Sequence, residues 1–99
     1  MGYCLLPSAE AELDEIWLYV ARASGSIEVA NRLIDAITDS LFLLGQYPHM
    51  GRRRDHDLRP GLRSFPTGEY VIVYRAEGAD ALILHIIRGS RDIEAFLGE

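Results

Sequence analysis

The chain contains no lysine, because all ten of its basic residues are arginine. An arginine guanidinium keeps its proton at physiological pH, so it can bind or clamp an anion but does not readily act as a base. Proton-transfer chemistry that relies on a lysine near neutral pH is therefore excluded.

Cysteine and long apolar runs are also scarce. The one cysteine, Cys4, cannot form an internal disulfide, and its position in the apolar run at residues 3–6 predicts a buried strand residue and not a reactive thiol. The sequence has no apolar run of about 18 residues. It also has no basic N-terminal region followed by an apolar stretch. We expect a cytoplasmic protein with no membrane span and no signal peptide.

Length and composition predict one small domain. A chain of 99 residues with 48% hydrophobic content can form one core and has no room for a second. We therefore treat residues 1–99 as a single domain.

Positive charge is concentrated in one segment of an acidic protein. The formal net charge of the chain is −5, and residues 1–49 alone carry two arginines against seven carboxylates. Residues 50–66, here called the arginine segment, instead carry five arginines against two aspartates, a local net charge of +3. Such a concentration of charge favours the binding of an anionic partner.

The first half of the chain predicts a strand followed by two helices. Pro7 ends the strand, and Ser8 is the predicted N-cap of a helix over residues 9–23. A break at residues 24–26 separates it from a second helix over residues 27–44, with Gly45 as the stop. So short a connection makes the two helices an antiparallel pair.

The second half predicts a meander of strands. Turn residues separate three strand-like runs, at residues 62–65, 69–75 and 81–88, and a short helix follows at 91–97. The predicted fold class is α+β. An N-terminal strand and an antiparallel helical hairpin pack on one face of a mainly antiparallel four-stranded sheet, with a short C-terminal helix.

Two of these strands carry more apolar surface than the fold needs. Residues 70–74 and 82–87 are apolar on both faces, although a sheet covered on one side should alternate with polar residues. Two explanations stay open. The C-terminal helix and the arginine segment cover the second face, or that face is a groove for another polypeptide.

The usual enzyme signatures are absent, so we expect no catalytic residue, no cofactor and no metal site. None of the three histidines, His49, His56 and His85, stands at a ligand spacing from a cysteine or another histidine. His85 lies between apolar strand neighbours, which is typical of a hydrogen-bonded sheet residue.

The arginines are the remaining candidates for a functional site. In a meander of hairpins, Arg63, Arg75 and Arg88 lie on neighbouring strands, so we expect distant arginines to converge on one exposed anion-binding patch. The alternative is that the arginines of the segment pair with local carboxylates such as Asp55 and Asp57.

Five blocks of the sequence resemble the ParE toxins, within the RelE/ParE superfamily of bacterial type II toxin-antitoxin modules. In order they are PSAEAELDEIW (7–17), YPHMGR (47–52), LRPGLRSFP (58–66), YVIVYR (70–75) and IRGSRD (87–92). Together they span almost the whole chain, and several blocks in the right order are a stronger signal than any one of them.

The resemblance implies a small toxin that inhibits DNA gyrase by binding and is neutralised by a cognate ParD-like antitoxin. Such an antitoxin wraps along the helical pair and sheet of the toxin and carries a DNA-binding dimer, which implies a heterotetramer. DNA would be contacted only through gyrase or the antitoxin, and no membrane is involved. The expected target-binding residues are Arg59, Arg63, Arg88 and Arg91. The expected antitoxin-binding residues are Leu13, Trp17, Leu41 and Phe42, with Trp17 also a candidate for the core.

Two alternatives remain. A RelE-like ribosome-dependent mRNA endoribonuclease would need groups that deprotonate the 2′-hydroxyl and protonate the leaving oxygen. Without lysine, and with no tyrosine or histidine beyond position 85, those roles would fall to His85, Tyr70 or Tyr74. The other alternative is a non-toxic homologue that only binds an antitoxin.

Overall fold

The computed structural model describes residues 2–55 and 57–89. Two helices and five strands are present in this part of the chain. They are β1 (Gly2–Leu5), α1 (Pro7–Ser24), α2 (Ile27–Gln46), β2 (Arg52–Arg53), β3 (Leu62–Thr67), β4 (Tyr70–Glu77) and β5 (Asp80–Arg88). The predicted α+β fold is confirmed, and β2 is a short additional strand. The predicted C-terminal helix lies outside the described residues.

The helix ends follow local chemistry, with one correction. Pro7 occupies the first turn of α1, and Gly25, at φ 68°, ends that helix in the left-handed conformation that glycine adopts most easily. Ser26 caps α2 by accepting a hydrogen bond from the backbone N–H of Val29 at 3.2 Å. The prediction that Ser8 caps α1 was wrong, because its hydroxyl donates to the carbonyl oxygen of Leu84 at 2.8 Å.

The sheet has the order β1-β5-β4-β3-β2. The β1–β5 pair is parallel and the other three pairs are antiparallel, so the sheet is mixed and mainly antiparallel. Gly45 was predicted to end α2 but lies within that helix. A Cβ atom there would lie 2.8 Å from the carbonyl carbon of Gly2, so the glycine lets α2 approach β1 closely.

The start of α1 takes the place of a strand beside the second half of β5. The pairing of β1 with β5 ends where Leu5 pairs with Ile83. Beyond this point, α1 packs against the edge of β5 that β1 leaves unpaired. The Glu12 carboxylate accepts the backbone N–H of Ile86 at 2.9 Å and lies 3.0 Å from His85 Nδ1. The interpretation of His85 as a hydrogen-bonded sheet residue is therefore confirmed.

The main core lies between the helices and the sheet. Its large, fully buried side chains come from α2 and the central strands: Ile37, Leu41, Leu44, Ile72, Tyr74, Ile83 and Ile86. A smaller cluster on the opposite face holds Leu62, Val73 and Ile87, with Leu58 of the arginine segment packed against it. The segment thus covers part of the second face, as one of the two explanations predicts.

Cys4 corrects another expectation, because it is exposed and not buried. Its neighbours Tyr3 and Leu5 pack against the main core, so strand alternation turns Cys4 to the other face. No helix among residues 2–55 and 57–89 is long and apolar enough to cross a membrane.

Candidate target-binding surface

The strand register divides the arginines between two ends of the sheet. Arg63 on β3 pairs with Tyr74 of β4, whereas Arg88 on β5 pairs with Tyr70, four positions away along β4. At about 3.3 Å per residue, four positions correspond to about 13 Å along the strand. The expectation of one convergent patch was therefore wrong, since Arg59 and Arg63 belong to one end and Arg88 to the other.

At the first end, Arg63 is anchored to the turn at residues 48–51. Its Nη1 donates to the carbonyl oxygens of His49 at 3.1 Å and Gly51 at 2.9 Å. The Tyr74 hydroxyl donates to Pro48 O at 2.8 Å and accepts the Gly51 N–H at 2.7 Å. Burial raises the pKa of Tyr74 above its usual value of 10.0, which keeps the hydroxyl protonated for this bond. The turn at residues 48–51 is thus tied to the sheet from two directions.

Other arginines of the segment are committed to nearby carboxylates. Arg54 donates through Nε to Asp57 at 2.9 Å and through Nη1 to Ser64 at 2.9 Å. The Arg54 hydrogen bond lowers the pKa of Asp57 below its usual value of 3.8. Arg53 contacts Asp55 at 2.7 Å. Local pairing is therefore confirmed for Arg53 and Arg54. Arg59 is an exposed residue of the loop before β3.

At the second end, Arg88 is held in place but remains accessible. Its Nη2 donates to Glu69 Oε1 at 3.0 Å, and its Cζ lies 5.9 Å from the centroid of the Tyr19 ring. The Arg88 side chain is nevertheless 43% exposed. The hydrogen bond from Arg88 to Glu69 raises the pKa of the guanidinium, so Arg88 is permanently charged. Arg91 lies outside the described residues.

An open cavity of about 360 Å³ adjoins Arg88. Glu12, Glu15 and Tyr19 of α1 form one wall, and the strand residues Tyr70, Ile86, Ile87 and Arg88 form the other. Sequence reasoning missed Tyr19 and Glu69, which fix Arg88. The sequence did contain one indication of Tyr19, because it is a large aromatic residue beside Glu15 on the charged side of α1.

The four residues expected to bind an antitoxin differ widely in exposure. Leu41 is 1% exposed and lies in the core, so its side chain offers no surface to a partner, and Leu13 packs against the same core. Trp17 is half-buried and donates its indole N–H to Asn31 Oδ1 at 2.8 Å. Phe42 is 62% exposed and makes an edge-to-face contact with Tyr3, with ring centroids 5.7 Å apart. Phe42 alone of the four presents a wide apolar surface.

The three groups that could serve an endoribonuclease differ in burial and in hydrogen bonding. Tyr74 is buried with its hydroxyl bonded twice, and burial raises the pKa of Tyr70 as well, which disfavours either phenol as a base. His85 contacts Glu12 through Nδ1 at 3.0 Å, and its side chain is 26% exposed. Within residues 2–55 and 57–89, no group of three or more His, Cys, Asp or Glu side chains could hold a metal ion.

Comparisons with known proteins give one consistent result. The sequence model of a family described as "ParE toxin of type II toxin-antitoxin system, parDE" matches residues 3–93. Toxin ParE3 of Caulobacter vibrioides is 35% identical over 88 residues, which cover 89% of this chain and 86% of that toxin. Toxin ParE1 of the same organism is 31% identical over 96 residues, 97% of each chain. A solved "Chromosomal ParDE TA system from P. aeruginosa" contains a chain with a TM-score of 0.76 and 26% identity, and the match covers 89% of this chain and 95% of that one.

Proposed function

Because the chain belongs to the family of ParE toxins of type II toxin-antitoxin systems, we propose that it inhibits DNA gyrase by binding and is neutralised by a ParD-like antitoxin. It acts in the cytoplasm, where gyrase and DNA are found. A heterotetramer of two toxins and two antitoxins is the proposed neutralised form.

The main support for the proposed mode of action is the position and accessibility of Arg88. A charged guanidinium stands at the end of a sheet strand, in contact with Glu69 and Tyr19 and open to solvent beside a cavity. Because solvent screens the exposed pair with Glu69, Arg88 can exchange it for an anionic or carbonyl group of a target. The full burial of Tyr74, with its hydroxyl bonded twice, favours binding over catalysis by that phenol. Arg88 is therefore the central target-binding residue of the proposal, with Arg91, Arg59 and Arg63 as further contacts.

Gyrase inhibition can be tested with the purified protein. Added to gyrase and supercoiled plasmid, the chain should trap cleaved DNA, and Arg88→Ala should abolish trapping. Arg32→Ala removes an exposed cation of α2 instead and should leave trapping intact. Equal trapping by the Arg88 variant would refute the assignment of Arg88.

Other outcomes of the same experiments would refute the proposed activity as a whole. Ribosome-dependent cutting of mRNA with gyrase unaffected would establish a RelE-like endoribonuclease. Absence of any growth defect on induction, with antitoxin binding retained, would establish a non-toxic homologue.

The exposed ring of Phe42, in edge-to-face contact with the partly buried Tyr3, supports a docking surface for the antitoxin. Both rings lie where α2 packs beside the edge strand β1, and an apolar surface of this kind favours a polypeptide partner. Phe42→Ser should therefore weaken antitoxin binding. Ile27→Ser is a matched control, because Ile27 is also 62% exposed and lies at the opposite end of α2. An equal effect of the two changes would contradict a site centred on Phe42.

A further inference from the structure

The end of the sheet remote from Arg88 contains a second cavity, of about 280 Å³. Three arginines from three different strands line it, together with one carboxylate and one imidazole residue. The lining is Arg53, Arg63, Arg75, His49, Asp55, Gly61, Leu62 and Ala76. We call it the arginine cavity.

Arg63 is the fixed cation of the arginine cavity. Its hydrogen bonds go to the carbonyl oxygens of His49 and Gly51, and its Nη2 lies 3.4 Å from His49 Nδ1. These acceptors orient the guanidinium without neutralising it, because none of them is a carboxylate. The full positive charge of Arg63 is thus held at the cavity wall and stays available to an anion.

The other two arginines have weak, replaceable partners. Arg75 contacts Glu77 at 2.9 Å, but the two side chains are 46% and 52% exposed, so solvent screens the pair. Arg53 contacts Asp55 and is 72% exposed. Both guanidinium groups can turn toward a ligand at little cost.

The charge balance of the arginine cavity opposes that of the protein. Three arginines and one aspartate give the lining a net charge of +2, whereas the whole chain carries −5. An anion is therefore attracted to this cavity and repelled by most of the remaining surface. The carboxylate of Asp55 is already inside the cavity, where it occupies Arg53 and accepts the Gly61 N–H at 2.8 Å.

We propose that the arginine cavity binds a phosphate-type oxyanion. Arg63 is the preset donor, and Arg53 and Arg75 close on the remaining oxygens, since planar guanidinium groups match phosphate oxygens in pairs. Asp55 limits the affinity because it competes for Arg53. The same chemistry admits free phosphate or a phosphodiester of nucleic acid. The site concerns the isolated chain and needs neither gyrase nor Arg88.

Titration with inorganic phosphate tests the proposal directly. Binding is measured by calorimetry on the whole chain, at constant ionic strength set with sodium chloride. Arg75→Gln should weaken binding about tenfold, the usual loss for one charged hydrogen bond. Asp55→Asn should tighten binding, because it removes the competing charge while an amide oxygen can still accept the Gly61 N–H. Arg32→Gln, on α2, should change nothing.

Three results would overturn the proposal: no binding of phosphate beyond the chloride control, the same loss with Arg32→Gln as with Arg75→Gln, or weaker binding by Asp55→Asn. Circular dichroism of each variant separates loss of the site from loss of the fold. Arg75→Gln is preferred to a change at Arg63 because Arg63 also anchors residues 49 and 51.

A second titration identifies the source of the oxyanion. A short DNA duplex that binds, is displaced by phosphate and is weakened by Arg75→Gln establishes a phosphodiester ligand. Phosphate binding without duplex binding establishes a free-phosphate site. Arg88→Ala should retain phosphate binding even if it abolishes gyrase trapping, so failure of the proposed function and failure of this site give different results.

Discussion

Tyr74→Phe should destabilise the protein far more than the loss of one oxygen atom usually does. The side chain is fully buried, and its hydroxyl both donates to Pro48 O and accepts the Gly51 N–H. Phenylalanine would leave a donor and an acceptor unpaired, at about 1–3 kcal/mol each before relaxation. We expect the free energy of unfolding to fall by about 2–4 kcal/mol. With a urea m-value of about 2 kcal/mol/M, the midpoint should fall by about 1–2 M.

Tyr70→Phe is the matched control for this experiment. Tyr70 lies on the same strand and is also buried, yet its hydroxyl has no hydrogen bond in the described part of the chain. Its loss should change the unfolding free energy by less than about 0.5 kcal/mol. Equal urea midpoints for the two variants would refute the argument that the Tyr74 hydroxyl fastens residues 48–51 to the sheet.

Unfolding at alkaline pH is an independent test of the role of the Tyr74 hydroxyl. Because burial raises the folded-state pKa of Tyr74 above 10.0, the unfolded chain releases this proton first. The corresponding stability is complete below the unfolded-state pKa and is lost as pH rises through the folded-state pKa. Thermal unfolding of the wild type should therefore show a larger loss above pH 10 than that of Tyr74→Phe, in which burial still raises the pKa of Tyr70.

Three further changes test other contacts. Glu12→Ala should lower the unfolding free energy by about 1–3 kcal/mol, because it leaves the buried N–H of Ile86 without an acceptor. Glu12→Gln keeps an acceptor, so its unfolding free energy should fall less in the same urea titration. Gly51→Ala should lower the melting temperature by several degrees, because the added Cβ would collide with the Tyr74 hydroxyl. Gly2→Ala is the control and should leave the melting temperature unchanged, because nothing lies within 4 Å of a Cβ at that position. Since Arg54 lowers the pKa of Asp57, the ion pair stabilises the fold above pH 3.8 and is lost as pH falls through the folded-state pKa. Arg54→Gln should remove that acid-dependent component from thermal unfolding curves.

The helices and main strands were predictable because their signals are local. Helical spacing and hairpin turns gave α1, α2, β3, β4 and β5 within a few residues. The strand β2 was missed because two residues carry no periodic pattern, and Cys4 was placed on the wrong side because a continuous apolar run does not mark its faces. The Ser8 contact with Leu84 spans 76 positions, which no local rule reaches.

The separation of Arg63 from Arg88 could have been inferred from the turns. The hairpin that joins Thr67 to Tyr70 places residue 63 far from that turn, and the next hairpin brings residue 88 back beside it. Counting positions from each turn therefore assigns the two arginines to opposite ends. The contacts of Arg88 with Tyr19 and Glu69 were not predictable, because they depend on how α1 crosses the sheet.

The parallel pairing of β1 with β5 sets the order in which a newly made chain can mature. β1 is synthesised before β5, yet Gly2 of β1 pairs with Asp80 of β5. Until that strand is synthesised, β1 has no neighbour and the apolar side of the helical hairpin has only part of the sheet to cover it. A nascent chain cut short before β5 would therefore expose apolar surface and be a substrate for chaperones and proteases, so the fold can be completed only after β5 has been synthesised.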